Sequence, residues 1–206
     1  MPKIDPALLD FRATYRLLVG SIVPRPIAWV STVDPTTGLV NLAPFSAYML
    51  VSVVPPMVAF SVGREGGVTK DTLRNIEASR EYVVNLATSA LATAVSISAQ
   101  ELPPEVSEVE VAGLHTVPSE LVKVPRVAES PVQMECRLHT ILDFGLAPHR
   151  LVIGEVVQWH VKDDLYANGK INMERLDALG RMAGDVYCRT DHQFTAVRPD
   201  RGGSYQ

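Results

Sequence analysis

The side chains that could do chemistry gather early in the chain. Arg25, Ser31, Thr32, Asn41, Ser46 and Ser61 offer a guanidinium, an amide and hydroxyls. Lys70-Asp71-Thr72 adds a lysine where the pattern predicts a helix start. Hydroxyls and a lysine at a helix N-terminus suit a phosphate, because the unpaired N–H groups and the helix dipole both favour an anion there. The run Thr69-Lys70-Asp71-Thr72 is equally the mark of an ordinary capped helix. Other chemistries lack their residues. The chain has no GxGxxG, P-loop, HExxH or GxSxG pattern, so a Rossmann site and the common hydrolytic sites have no support. His115, His139, His149, His160 and His192 show no two-ligand spacing, and no metal site is expected. Cys136 and Cys188 form no CxxC and read as packing residues rather than redox partners.

The elements that must hold these groups are mostly strands. The 206 residues suit one domain, 1–206, with a C-terminal arm from about 163. Hydrophobic residues at 47% and charged residues at 20% are ordinary for a globular protein. The net charge of −4 leaves no basic surplus for a nucleic-acid partner. The apolar runs are too short and interrupted to span a membrane, and the first residues lack a signal-peptide core, so a cytoplasmic protein is expected. Ile27 to Thr32 reads as a strand ending at the turn Asp34 to Gly38, with a hairpin partner from Leu39. Met57 to Val62, Glu81 to Leu86, Val132 to Leu142 and Arg150 to Val161 read as further strands. Helices are predicted from Thr69, with Thr69 or Asp71 as cap, over Thr88 to Ala99, and around Met173 to Ala178. Acidic Glu101 to Glu110, with Pro103-Pro104, reads as an exposed loop. Short, evenly interrupted strands favour a barrel over a doubly wound sheet.

The ordered motifs carry a resemblance. Gly20 to Thr32, Asn41-Leu42-Ala43-Pro44-Phe45-Ser46, Pro55-Pro56, Lys70-Asp71-Thr72 with Asn75, Glu135-Cys136, Gly154-Glu155-Val156 and Arg181-Met182-Ala183-Gly184 with Tyr187 follow one another over about 14–198. Together they resemble the flavin-reductase-like, FMN-binding split-barrel proteins, the group that includes flavoredoxin. The resemblance implies a mainly β (α+β) fold, a split β-barrel with flanking helices. It also implies a homodimer with FMN in a groove near the subunit interface.

Carried over position by position, Trp29, Val30, Ser31 and Thr32 would line the isoalloxazine, though Trp29 could equally pack in the core. Asn41, Ala43, Pro44, Phe45 and Ser46 would approach the ring and ribityl chain. Ser61, Lys70, Asp71 and Thr72 would hold the phosphate, Asp71 through its N–H or as a cap. Arg25 would add charge to the flavin or only fix the Pro24-Arg25-Pro26 turn. Smaller relatives carry Gly-Asp-His near the nicotinamide; here Ala147-Pro148 precede His149, which remains a tentative nicotinamide contact or a plain loop residue. Arg150 offers a nearby positive charge, and Arg181 is a tentative flavin or substrate contact. The implied activity is an FMN-dependent oxidoreductase, with NADH or NADPH as donor. Alternatives are a flavoredoxin-type electron carrier with a redox partner protein, or a non-catalytic flavin binder. Because a flavin carries its own redox chemistry, no catalytic dyad is required of the protein.

Overall fold

An antiparallel sheet of seven strands organises the chain, in a computed structural model that describes residues 1–63, 69–146 and 149–196. Helix α1 (Phe11–Ser21) opens it, capped by Asp10, whose carboxylate accepts from the Ala13 N–H at 2.7 Å. The motif residues Gly20 and Ser21 are therefore the last turn of a helix. Strand β1 (Ala28–Val33) pairs in full register with β2 (Val40–Phe45), across a turn in which Asp34 accepts from the Thr36 and Thr37 N–H groups and Gly38 takes φ +76°. Strand β3 (Tyr48–Val53), hidden in the sequence by the apolar run into Pro55-Pro56, forms a hairpin with β4 (Pro56–Val62).

Helix α2 (Asp71–Ser79) and β5 (Glu81–Leu86) follow, then α3 (Ala92–Ile97) and α4 (Glu108–Val111). The short strands β6 (Thr116–Val117) and β7 (Arg126–Val127) form a ribbon of their own. The long hairpin of β8 (Val132–Phe144) and β9 (His149–Val161) is the backbone of the sheet. The strand order is β2-β1-β5-β8-β9-β4-β3. In a flat sheet β2 and β4 would lie roughly 24 Å apart, five strand spacings. Yet the rings of Phe45 in β2 and Phe60 in β4 have centroids 5.0 Å apart. The sheet must curl on itself, as a split barrel does. Val30, Phe60, Leu73, Ile76, Tyr82 and Val152 fill its interior.

After β9 the chain adds two tiny hairpins, β10 (Tyr166–Ala167) with β11 (Lys170–Ile171) and β12 (Gly180–Arg181) with β13 (Tyr187–Cys188). Helix α5 (Met173–Leu176) lies between them. Arg181 and Arg25 exchange both backbone hydrogen bonds, 3.0 and 2.8 Å, so the arm returns to the chain's beginning. No helix among the described residues is long and apolar enough to cross a membrane.

The acidic segment is an exposed loop over Glu101 to Val106, as expected, and departs from that at its end. Ser107, Glu108 and Val109 are buried against β2. Strand β2 is an edge, and its outward groups need partners. The Ser107 hydroxyl donates to the Val40 carbonyl at 2.6 Å, and the Glu108 carboxylate accepts from the Leu42 N–H at 3.0 Å. Two side chains thus stand in for a missing neighbour strand. By the two-residue repeat the next outward position is Pro44, which has no N–H to satisfy.

Candidate functional site

At that uncovered stretch of β2 the surface opens into a cavity of about 570 Å³. Its floor is Asn41, Ala43, Pro44 and Phe45, one wall is the start of α2, and the other is the segment from Ser98 to Pro104. The start of α2 is unusual. Lys70 occupies the N-cap position and makes no side-chain cap bond, so neither Thr69 nor Asp71 caps as the sequence suggested. The Lys70 carbonyl accepts from the Leu73 and Arg74 N–H groups, while those of Asp71 and Thr72 have no acceptor among the described residues. Two open amides, a helix dipole and an exposed lysine therefore face the cavity, the arrangement an anion needs. Of the three carboxylates that line the cavity, Asp71 is paired with Arg74 at 2.8 Å and Glu108 is held by Leu42 and the Asn41 amide, while exposed Glu101 has no partner among the described residues.

Beneath the surface a polar network holds this wall to the barrel. The Asn41 carbonyl oxygen accepts from Thr72 Oγ1 at 2.9 Å and from Thr32 Oγ1 at 3.3 Å, and Asn75 Nδ2 donates to Thr32 Oγ1 at 3.1 Å. The Asn75 side-chain oxygen, Oδ1, is buried with no partner among the described residues. A second cavity, about 390 Å³, adjoins the first, both being lined by Pro44 and Ala99. It lies between α1, Ser46 and the β12–β13 hairpin.

The expected site residues separate accordingly. Asn41, Ala43, Pro44, Phe45, Lys70, Asp71 and Thr72 come together around the first cavity, and Arg25, Ser46 and Arg181 around the second. Trp29, Val30, Ser31 and Thr32 do not line either one. All four are fully buried, β1 is paired on both sides, and Trp29 Nε1 donates to Ser98 Oγ at 2.8 Å. These are core residues, which for Trp29 is the alternative named above. Ser61 lies in β4, its N–H bonded to the Ala47 carbonyl, and lines neither cavity.

Arg25 is a clamp. Its guanidinium donates to the carbonyls of Val19, Ile22 and Met182 at 2.7–2.8 Å and to Ser46 Oγ at 3.2 Å, closing the end of α1 onto the C-terminal arm. His149 begins β9, exposed and opposite Gly63, away from both cavities of its own chain; Ala147 and Pro148 fall outside the described residues. Arg150 is not a spare cation, since it pairs with Glu77 and with Asp143. Cys136 is fully buried, and burial pushes its thiol well above the usual range, so it stays protonated and inert.

Glu108, Ser98 and the Gln100 to Leu102 wall escaped sequence reasoning. An outward edge in β2 that lacks a neighbour strand is the signal that calls for a covering segment, and strand order is invisible before folding.

Comparison with known proteins bears on the family and the fold. The flavin reductase like domain model matches residues 19–175. A protein of Halalkalibacterium halodurans is 42% identical over 96% of each chain. Nitrilotriacetate monooxygenase component B from Bacillus cereus superposes with TM-score 0.92 at 38% identity, covering 95% of this chain and 98% of its own. The 2-nitrobenzoate 2-nitroreductase of Pseudomonas fluorescens gives TM-score 0.89 at 30% identity over the whole of both chains. Neighbours of this kind, with the curled sheet described above, make the fold a flavin-reductase split barrel. The chain belongs to the family of flavin reductase like domains.

Proposed function

We propose that the chain is an FMN-dependent oxidoreductase, one domain with its C-terminal arm packed against the barrel, reduced by NADH or NADPH. The observation that carries this reading is the uncapped start of α2, with Lys70 and the amides of Asp71 and Thr72 opening onto a cavity floored by the edge of β2. Those donors fit a phosphate monoester, and the apolar floor of Ala43, Pro44 and Phe45 fits the rest of a flavin nucleotide. Bound FMN would supply redox chemistry between a nicotinamide nucleotide and an acceptor. The chain's own part is to bind and orient. Lys70 and the α2 amides take the phosphate, Asn41 holds the α2 wall through Thr72, and Glu108 holds Asn41.

The molecule works as a homodimer in this reading. Within one chain His149 reaches neither cavity, whereas the tip of the β8–β9 hairpin exposes Leu142, Phe144 and Leu146 beside it, an apolar surface suited to a second copy. His149 would then contact the nicotinamide at the partner's site. A second reading, an electron carrier with a protein donor, is favoured by one fact: Arg150 is committed to Glu77 and Asp143, so a nucleotide phosphate would have to displace a carboxylate.

The test is the visible absorbance of the purified protein, or of protein titrated with FMN, before and after anaerobic NADH or NADPH. Bleaching by either nucleotide, slowed in His149→Ala, supports the first reading. Bleaching only by a reduced protein donor moves the assignment to the second. A protein that takes up no FMN refutes both.

A further inference from the structure

The second cavity holds two arginines in opposite circumstances. Arg25 spends its guanidinium on three carbonyls and Ser46. Arg181 is anchored at its backbone by both hydrogen bonds to Arg25, and its guanidinium sits 4.5 Å from the centre of the Tyr187 ring. That guanidinium donates no hydrogen bond to any described residue. Its one ionic neighbour among the described residues is Asp185 at 3.9 Å, a side chain entirely in solvent. The Arg181 side chain itself is only 27% exposed. A guanidinium on a cavity wall whose planar fork of donors is used by no described residue is open to an acceptor.

We infer that this cavity is the acceptor site of the protein and takes a small organic carboxylate, its carboxylate held by Arg181 and its body against the apolar wall of Val19, Ile27 and Val95. Its role as an acceptor site rests on the flavin reading, because the cavity joins the phosphate cavity at Pro44 and Ala99; the carboxylate assignment rests on Arg181 alone. The planar fork matches a carboxylate in bidentate geometry. A single unspent guanidinium balances one negative charge, whereas a doubly charged phosphate would call for a second cation with free donors, and Arg25 has spent its own. The two contacts fixing Arg181, backbone pairing below and the Tyr187 face beside it, leave its outer edge for the ligand. A carboxylate arriving there displaces only the loosely held Asp185.

Benzoate and benzamide, alike in shape and different in charge, make the test. Each is titrated calorimetrically into the full-length protein with and without FMN. Benzoate is expected to bind about tenfold more tightly than benzamide, the worth of one charge-assisted pair. Arg181→Gln should abolish that preference, Arg181→Lys should keep part of it, and FMN affinity by fluorescence titration should stay unchanged in both. Equal binding of the two ligands by the wild type, or a preference that survives Arg181→Gln, overturns the assignment. So does a loss of FMN affinity in Arg181→Gln, which would give the guanidinium to the flavin. If the protein takes up no FMN yet keeps an Arg181-dependent benzoate preference, the flavin reading fails and the carboxylate site stands.

Discussion

Replacing Glu108 with alanine should injure both the fold and the phosphate cavity. The Glu108 side chain accepts from the Leu42 N–H at 3.0 Å and from Asn41 Nδ2 at 2.8 Å. Hydrogen bonds to a charged acceptor are worth about 1.5–3 kcal/mol each. Leu42 is fully buried, so its amide would be left without a partner, whereas Asn41 is half-buried and can turn to water in the cavity. The sum falls at about 2–4 kcal/mol, or roughly 5–15 °C in Tm for a chain of this length. Glu108→Gln keeps one acceptor oxygen and should cost about half as much. Urea unfolding followed by tryptophan emission is a direct assay, because Trp29 is fully buried in this same region. Asn41→Ala and the double variant complete a cycle whose coupling energy should exceed about 1 kcal/mol, as for residues sharing one network. The Asn41 carbonyl also anchors Thr72 at 2.9 Å, so FMN affinity should fall with stability. A loss below about 0.5 kcal/mol, or effects of Glu108 and Asn41 that simply add, would refute the view that Glu108 seals the β2 edge.

Lys70→Ala should weaken FMN about three- to tenfold, a modest loss because the lysine is exposed and screened, and should leave riboflavin affinity unchanged; equal losses for both ligands would remove Lys70 from the phosphate. Gly154→Ala should destabilise by about 2–3 kcal/mol, since an added Cβ would lie 2.1 Å from the Tyr82 hydroxyl and 2.9 Å from the Arg137 carbonyl. Tyr82→Phe in the same chain should recover part of that loss in a denaturation midpoint. Burial lifts the Glu135 carboxyl, but N–H donors from Glu120, Leu121 and Val122, together with His160, outweigh it and hold the group below its ordinary 4.5. A carboxylate depressed in the folded state stabilises above the unfolded value and loses that contribution as the pH falls through the folded one. Wild type should therefore exceed Glu135→Gln in urea midpoint near neutrality, with the gap closing below about pH 4.5; a gap independent of pH would show that the charge is not what stabilises.

Local pattern carried the strands and the family. The β-branched runs of β1, β4, β5, β8 and β9 declare themselves because alternation and turn residues are encoded within a few positions. Helix α1 is legible in principle, with Asp10 as cap and Phe11, Tyr15 and Leu18 recurring at i, i+4 and i+7, yet that stripe stays exposed within one chain. Strand β3 was absorbed into the Pro55-Pro56 break. The polar residues of Gly20 to Ser46 could be recognised as a motif, but their division of labour could not.

Which of those residues meet solvent depends on where the sheet curls and which strand is its edge, and both are set by long-range pairing. The sequence alone determined a barrel-forming set of strands, a helix start at Lys70-Asp71-Thr72 and a family. Only the tertiary structure decided that Trp29 to Thr32 are buried, because both faces of β1 are covered: Val30 lies in the barrel interior, and Trp29 packs on the other face with Val95 and Val109. It likewise decided that Arg25 is consumed by carbonyls from α1 and from a segment more than 150 residues away, while its bridge partner Arg181 keeps its donors. Two arginines of identical chemistry differ in role because hydrogen-bond partners are contributed by folding and not by neighbours in the chain.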